Sequence, residues 1–122
     1  MRILQLVFVL LFLSGCALKP AIISNVNVIK KGTDSAGAFC SDFSLTNTQV
    51  FKLLKSSREV EINEFHNNYE YLPCFVKGNL NMEAKRCEFT IRAGGTVELT
   101  CNDGTGYLYV CDSCDHLLIG NE

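Results

Sequence analysis

The residues of this chain best suited to chemistry are its cysteines, of which there are seven in 122 residues. The most informative spacing is Cys111-Asp112-Ser113-Cys114, because two cysteines separated by two residues can exchange a disulfide or supply two ligands to zinc. Thiol exchange needs a stabilised thiolate, which the carboxylates of Asp112 and Asp115 disfavour. A zinc ribbon needs a second close pair of ligands, and Cys87 and Cys101 are not such a pair. We therefore expect a small local disulfide here, with no bound metal and no cofactor.

Six cysteines, an even number, remain besides Cys16, which is discussed below. In an exported chain such a number predicts a disulfide framework. If the turn Ala93-Gly94-Gly95 closes a hairpin symmetrically, Cys87 lies directly opposite Cys101, near the distance that a disulfide needs. Alternatively, Cys87 and Cys101 are unpaired thiols in the core, or each forms a bond with Cys40 or Cys74. The disulfide candidates are Cys40, Cys74, Cys87, Cys101, Cys111 and Cys114.

No combination of residues matches a catalytic site. His66 lies in a polar stretch with carboxylates nearby, but no nucleophile stands at a recognisable spacing from it. Gly94-Gly95 joins two predicted strands and opens no helix, so it is not a phosphate-binding loop. Eleven basic residues against thirteen acidic ones are too few for a nucleic-acid surface. We therefore predict that the chain is not an enzyme and binds no nucleic acid, and we identify no small-molecule substrate.

The first fifteen residues have the layout of an export signal. Arg2 precedes an apolar run from Ile3 to Leu13, which is too short to span a bilayer as a helix. The run ends in Leu13-Ser14-Gly15-Cys16, which resembles the lipobox of bacterial lipoproteins. The resemblance implies that residues 1–15 are a signal peptide removed before Cys16. It also implies that Cys16 carries a diacylglyceryl thioether and an acylated amino group, and several acyl chains anchor a protein stably.

The residues after the lipidated cysteine predict the destination and the domain boundaries. Ala17 stands where an aspartate would indicate retention at the inner membrane in the resembling proteins. The resemblance therefore implies an outer-membrane lipoprotein facing the periplasm, with the membrane as its first partner. Residues 16–38 have a loop-like composition and are predicted to be the lipidated N-terminus and a tether, in which Val26 and Val28 favour a short edge strand. Residues 39–122 are predicted to be a single globular domain.

One amphipathic helix is predicted after Thr46, a residue type that caps helices. Val50, Phe51, Leu53 and Leu54 share one side of this helix of ten to twelve residues. The segment that follows, 59–63, fits either a continuation of the helix or a strand.

Four strands are predicted beyond that segment. They cover 71–78, 86–92, 96–101 and 107–111, and glycine-containing turns separate the last three. A helix followed by an antiparallel meander predicts the α+β class: one amphipathic helix packed on a β-meander of about four strands and stapled by disulfides.

Charge is unevenly distributed along the mature chain. Residues 16–58 carry six basic and two acidic residues, whereas residues 59–122 carry four basic and eleven acidic residues. An acidic surface of this kind either keeps the protein soluble or meets a basic partner. The candidate partner-facing residues are Glu98, Asp103, Asp112 and Asp115.

The distal half also resembles a group of proteins. The segments Pro73-Cys74-x-Val-x-Gly78, Phe89-x-Ile91-Arg92-Ala93-Gly94-Gly95 and Cys111-x-x-Cys114 are similar to small exported proteins of Gram-negative bacteria, some of which accompany secreted antibacterial toxins. The resemblance implies a non-enzymatic protein-binding module, most concretely an immunity protein that masks an incoming toxin. The alternatives are a thiol–disulfide active envelope lipoprotein that uses Cys111 and Cys114, and a structural component of the envelope.

Overall fold

The computed structural model describes residues 22–35 and 40–119. The predicted signal peptide and the lipidation site Cys16 lie outside the described residues. Within them, no helix is long and apolar enough to cross a membrane.

Six strands and three helices lie within the described ranges. The strands are β1 (Ile23–Thr33), β2 (Arg58–Glu59), β3 (Cys74–Met82), β4 (Lys85–Arg92), β5 (Thr96–Cys101) and β6 (Gly106–Val110). The helices are α1 (Asn47–Lys55), α2 (Ile62–Asn68) and α3 (Asp115–Ile119). All six strands join one antiparallel sheet in the order β1-β3-β4-β5-β6-β2.

The hydrophobic core lies on one face of this sheet, because successive side chains of a strand point to opposite faces. Val50, Leu53 and Leu54 of α1 pack against that face, and Leu117 and Leu118 of α3 pack against the same core. We call this the core face. Its central side chains, directly opposite one another on neighbouring strands or two residues apart, are Val76, Leu80, Cys87, Phe89, Ile91, Val97 and Leu99.

Helix α1 confirms the predicted amphipathic helix and its cap. The Thr46 hydroxyl accepts a hydrogen bond from the Gln49 backbone N–H at 3.1 Å, and the Gln49 side chain accepts one from the Thr46 N–H at 2.9 Å. Such a capping box stabilises a helix start by about 1 kcal/mol. The assignment of Phe51 to the buried side was wrong. Its side chain is 39% exposed, with the Lys55 ammonium 6.0 Å from its ring centroid.

The antiparallel meander is confirmed for β3 to β6, but the predicted number of elements was too small. The structure has six strands and three helices in its described residues, against a prediction of about four strands and one helix. Segment 59–63 is neither a continued helix nor a strand throughout, since it contains the end of β2 and the start of α2. Strand β3 begins at Cys74, three residues later than predicted, because the loop before it is bound by side chains described below.

Strand β1 lies within the segment 16–38 that composition assigned to the tether. The short strand predicted around Val26 and Val28 is present and extends over eleven residues. Its pairing with β3 is irregular, with two register shifts, and Asn25 has a positive φ. The Val28 N–H donates to Oδ1 of Asn47 at 2.8 Å, which occupies one backbone donor. Bulges of this kind discourage pairing with a further strand.

Three disulfides confirm the predicted framework. They join Cys40 to Cys74, Cys87 to Cys101, and Cys111 to Cys114. The hairpin register predicted from Gly94 is confirmed, because Cys87 lies directly opposite Cys101. The Cys40–Cys74 bond spans 34 residues and ties the segment before α1 to the start of β3. Closing a loop of this size stabilises a fold by about 3–4 kcal/mol in the chain-entropy account.

Gly78 tests the contact between β1 and β3. A Cβ atom there would lie 2.1 Å from the backbone oxygen of Asn27 and 2.6 Å from Cζ of Phe89, whose ring covers the glycine. We expect Gly78→Ala to lower the free energy of unfolding by about 1–3 kcal/mol, because β1 or Phe89 must shift. Gly106→Ala is the matched control, since the nearest atom to a Cβ there is 3.9 Å away. Denaturant unfolding of both variants checks this, and equal stabilities would contradict it.

Candidate functional site

The face of the sheet opposite α1 carries polar and charged side chains across β1, β3, β4 and β5. We call this surface the open face. Phe75, Arg92 and Thr96 lie on the same face and are buried, whereas the side chains that define the open face are half-buried or exposed. By register, its members are Asn27, Lys30, Lys77, Asn79, Asn81, Arg86, Glu88, Thr90, Glu98 and Thr100.

The open face has a regular order that follows from strand register. One row crosses five strands, with each side chain directly opposite the next: Lys30, Lys77, Thr90, Glu98 and Leu108. Neighbouring strands lie about 4.8 Å apart, so this row is about 19 Å long. It runs from two cations at the β1 edge, past a carboxylate, to an apolar residue on β6. We call it the central row.

The β1 end of the central row lies in a surface depression of about 350 Å³. Lys30 and Lys77 line it together with Asn79, Glu88 and Thr90. The Lys77 ammonium lies 4.8 Å from the centroid of the Phe75 ring, which gives it a cation–π contact. Within the described part of the chain, neither lysine forms an ion pair. We call this depression the lysine cradle.

The β6 end of the central row lies in a second depression of about 430 Å³ beneath α2. Ile62, Phe65 and His66 of α2 form one wall, and Glu98 and Leu108 contribute to the other. Ile62 is 55% exposed, which is high for a large apolar side chain, whereas Phe65 is buried against β6. We call this depression the apolar groove.

The position of α2 depends on a triad of Arg58, Tyr69 and Asp112. Arg58 Nε donates to Asp112 Oδ2 at 2.9 Å, and Arg58 Nη2 donates to the Tyr69 hydroxyl at 2.8 Å. The Tyr69 hydroxyl in turn donates to Asp112 Oδ1 at 2.7 Å. Arg58 Nη1 also contacts the Glu64 carboxylate on α2 at 3.1 Å. Both ends of α2 are therefore tied to β2 and to the end of β6.

A second triad with the same residue types holds the other end of the loop that follows α2. Arg92 Nη2 lies 2.7 Å from both Asp34 Oδ2 and the Tyr71 hydroxyl, which itself donates to Asp34 at 2.6 Å. Arg92 is only 7% exposed, and its guanidinium carbon lies 4.0 Å from the Tyr71 ring centroid. Arg92 Nη1 donates to the Leu72 carbonyl at 3.1 Å. The loop 69–73 is thus fixed at both of its tyrosines.

The two triads change the pKa values of their members in the same way, lowering those of the carboxyl groups and raising those of the phenols. Hydrogen bonds from Tyr71 and Arg92 hold the pKa of Asp34 below its ordinary value, and those from Tyr69 and Arg58 do the same to Asp112. The same bonds raise the pKa of Tyr69 and Tyr71, because a phenolate beside a carboxylate is disfavoured. Each triad is therefore most stable with a charged carboxylate and a neutral phenol.

The four acidic residues predicted to face a partner do not form one surface. Glu98 lies on the open face, whereas Asp103 lies in the β5–β6 turn and Asp112 lies beyond the other end of β6. Asp103 pairs with Lys85 at 3.2 Å, and the Thr105 backbone N–H and that lysine lower its pKa to about 2. Asp112 is bound in the Arg58 triad, and Asp115 begins α3. The expected acidic face is thus divided, and two of its four members have cationic partners inside the protein.

Cys111 and Cys114 are bonded to each other and buried, with exposed fractions of 6% and 0%. Exchange with another protein's thiol needs an accessible sulfur. This geometry supports the predicted structural role of the bond, which holds α3 against the core face. His66, considered and set aside as a catalytic base from its sequence, lines the apolar groove together with Thr100 and Tyr107.

Sequence reasoning missed both triads. Their members are 11 to 58 residues apart, and no spacing motif links Arg58 to Asp112 or Arg92 to Asp34. The repeated Tyr69-x-Tyr71 pattern was the available signal, but it acquires meaning only when the sheet brings the two arginines beside it.

The open face presents polar and charged side chains to solvent. Across the described residues, no group of three His, Cys, Asp or Glu side chains is arranged to hold a metal ion. Comparisons of the chain with protein-family models, with curated proteins and with solved structures find no match. Its function is therefore inferred from its own residues.

We expect Asp34→Asn to lower the thermal midpoint by roughly 5 °C at pH 7, because the substitution removes the charge that neutralises buried Arg92. The lowered pKa of Asp34 means that its contribution is complete above the ordinary value of 3.8 and is lost as the pH falls below it. The difference in thermal midpoint between the wild-type protein and the Asp34→Asn variant should therefore become smaller as the pH falls from 4 toward 2. Asp42→Asn, which removes the charge of an exposed carboxylate, is the control. Circular dichroism melts at each pH measure both, and identical behaviour of the two variants would refute the triad's role.

Proposed function

We propose that this chain is an exported, lipid-anchored protein that binds another protein and catalyses no reaction. In the cell it acts as an immunity protein that masks a secreted antibacterial toxin. The observation that carries the binding role is the open face, a surface of aligned strands whose charged side chains have few partners among residues 22–35 and 40–119. A protein that only filled space in the envelope would have no use for such a surface.

Disulfides support the exported location. Three bonds use every cysteine from residue 40 onward. Such bonds persist in oxidising compartments and are rare in the bacterial cytoplasm. Together with the resemblance of Leu13-Ser14-Gly15-Cys16 to a lipobox, they support an outer-membrane lipoprotein that faces the periplasm.

The rigidity of the domain supports a masking role. An inhibitor that must occupy a toxin gains affinity when its binding surface is formed before contact. Here the Arg58 and Arg92 triads fix the loop 69–73, and disulfides join β4 to β5 and the start of β3 to the segment before α1. The open face is thus presented by strands whose positions are set independently of a partner.

An immunity protein is required only when its producer meets the toxin. We expect a host strain that lacks this chain and cannot secrete the toxin to be killed when it is co-cultured with its own wild-type siblings, with survival at least tenfold lower than in monoculture. Expression of the full chain should restore survival, because the toxin is again masked. Colony counts of the two strains measure this.

A Cys16→Ala variant of the full chain separates anchoring from binding. It should protect less well than the wild-type chain when both are present in equal amounts, because the lipid holds the protein at the membrane.

Equal survival of the deletion strain with and without siblings would exclude the immunity role.

A further inference from the structure

We propose that the open face recognises a segment of the partner protein that presents an apolar side chain, a cation and a carboxylate in that order. The carboxylate binds in the lysine cradle, the cation faces Glu98, and the apolar side chain enters the apolar groove. This inference rests on the proposed function, whose binding role it makes specific.

The lysine cradle holds two lysines and one glutamate, Glu88, so its formal net charge of +1 suits a singly charged anion such as a carboxylate. Lys30 and Lys77 lie directly opposite each other on β1 and β3, and like charges in that position repel and destabilise a sheet. The depression between them is also lined by Thr90 and Asn79, whose hydroxyl and amide groups can donate hydrogen bonds. A bound carboxylate would relieve the repulsion and accept these hydrogen bonds.

The rest of the surface favours a protein over a polyanion. Glu88 borders the lysine cradle, and Glu98 lies in the central row two strands from Lys77. A membrane of anionic headgroups or a nucleic acid would place negative charge over both glutamates and would be repelled. A protein segment can present opposite charges in sequence, and such complementarity confers specificity.

The spacing of the central row matches an extended peptide. Leu108, beside the apolar groove, is three strands from Lys77, which is about 14 Å. In an extended chain, residues i, i+2 and i+4 face the same side and the outer two lie about 13 Å apart. Glu98 lies about 4.8 Å from Leu108 and about 9.6 Å from Lys77 along the row, whereas the middle residue of the segment is about 6.6 Å from each end. The long side chain of a lysine or arginine at that position covers the difference, so one segment can contact Leu108, Glu98 and Lys77 together.

The test uses two synthetic peptides of identical composition, Phe-Ser-Lys-Ser-Glu and Phe-Ser-Glu-Ser-Lys, each with blocked ends. Each is titrated against the isotope-labelled full chain, purified in detergent, while backbone amide shifts are followed by NMR. We expect the first peptide to shift the amides of Lys77, Thr90 and Glu98 and to bind at least fivefold more tightly than the second. The reason is that the second peptide places a carboxylate over Glu98 and an ammonium over the cradle.

Matched variants locate the interaction. Lys77→Gln should weaken binding of the first peptide at least fivefold, whereas Lys52→Gln, on α1 at the core face, should leave it unchanged. Equal affinities for the two peptides, or a loss with Lys52→Gln as large as with Lys77→Gln, would overturn the proposal. Absence of binding by either peptide would also overturn it.

Two further probes distinguish other anions. Inorganic phosphate and short-chain phosphatidylglycerol are titrated separately into the same sample. If phosphatidylglycerol shifts the amides of Lys77 and Thr90 more strongly than the first peptide does, the cradle is a lipid site and the proposal fails. The co-culture result is independent of these titrations, so sibling killing without peptide discrimination would remove only this inference and leave the proposed function in place.

Discussion

The register of the central strands is the constraint on which the rest of the structure depends. Cys87 lies opposite Cys101, and Phe89 lies opposite both Gly78 and Leu99, so that large apolar side chains share the core face with α1 and α3. A slip of one residue would exchange the two faces of a strand. It would bury Glu88 and Thr90 and expose the core. The disulfide between β4 and β5 prevents that slip, and the same register aligns the central row on the opposite side.

The second requirement is that the open face stays uncovered. Helix α2 lies on this side, but the Arg58 triad holds it over β6, where Phe65 packs against Val110. The Arg92 triad draws the loop 69–73 to the start of β3, away from the middle of the sheet. The Arg58 triad, through Glu64 and Tyr69, holds α2, whose Ile62, Phe65 and His66 form one wall of the apolar groove. Exposed ion pairs contribute little alone, whereas Arg92 is buried, so that loss of Asp34 would leave its charge without a carboxylate partner.

Local patterns were sufficient to predict much of this fold. The alternation of Cys87, Phe89 and Ile91 and the symmetric turn at Gly94 predicted β4, β5 and the register that places Cys87 opposite Cys101, with their disulfide as one of several pairings. Long-range contacts were not predictable, because nothing near Arg58 or Arg92 in the sequence identifies Asp112 or Asp34 as a partner. Strand β1 was assigned largely to a tether for the same reason. Its polar composition is that of an exposed edge strand, and only its pairing with β3, which the sequence does not reveal, makes it a strand. The acidic face was predicted from charge counts, which do not reveal that Asp103 and Asp112 have internal cationic partners.

The central claim is that the partner protein binds the open face. Site-specific photocrosslinking in living cells tests it most directly, with a photoreactive phenylalanine analogue placed in the full chain at Thr100 on the open face or at Thr48 on α1. Both positions are exposed, so the two variants are matched in accessibility. We predict that the probe at position 100 captures one protein in a defined adduct and that the probe at position 48 does not. Capture at position 48 alone, or at neither position, would contradict the account.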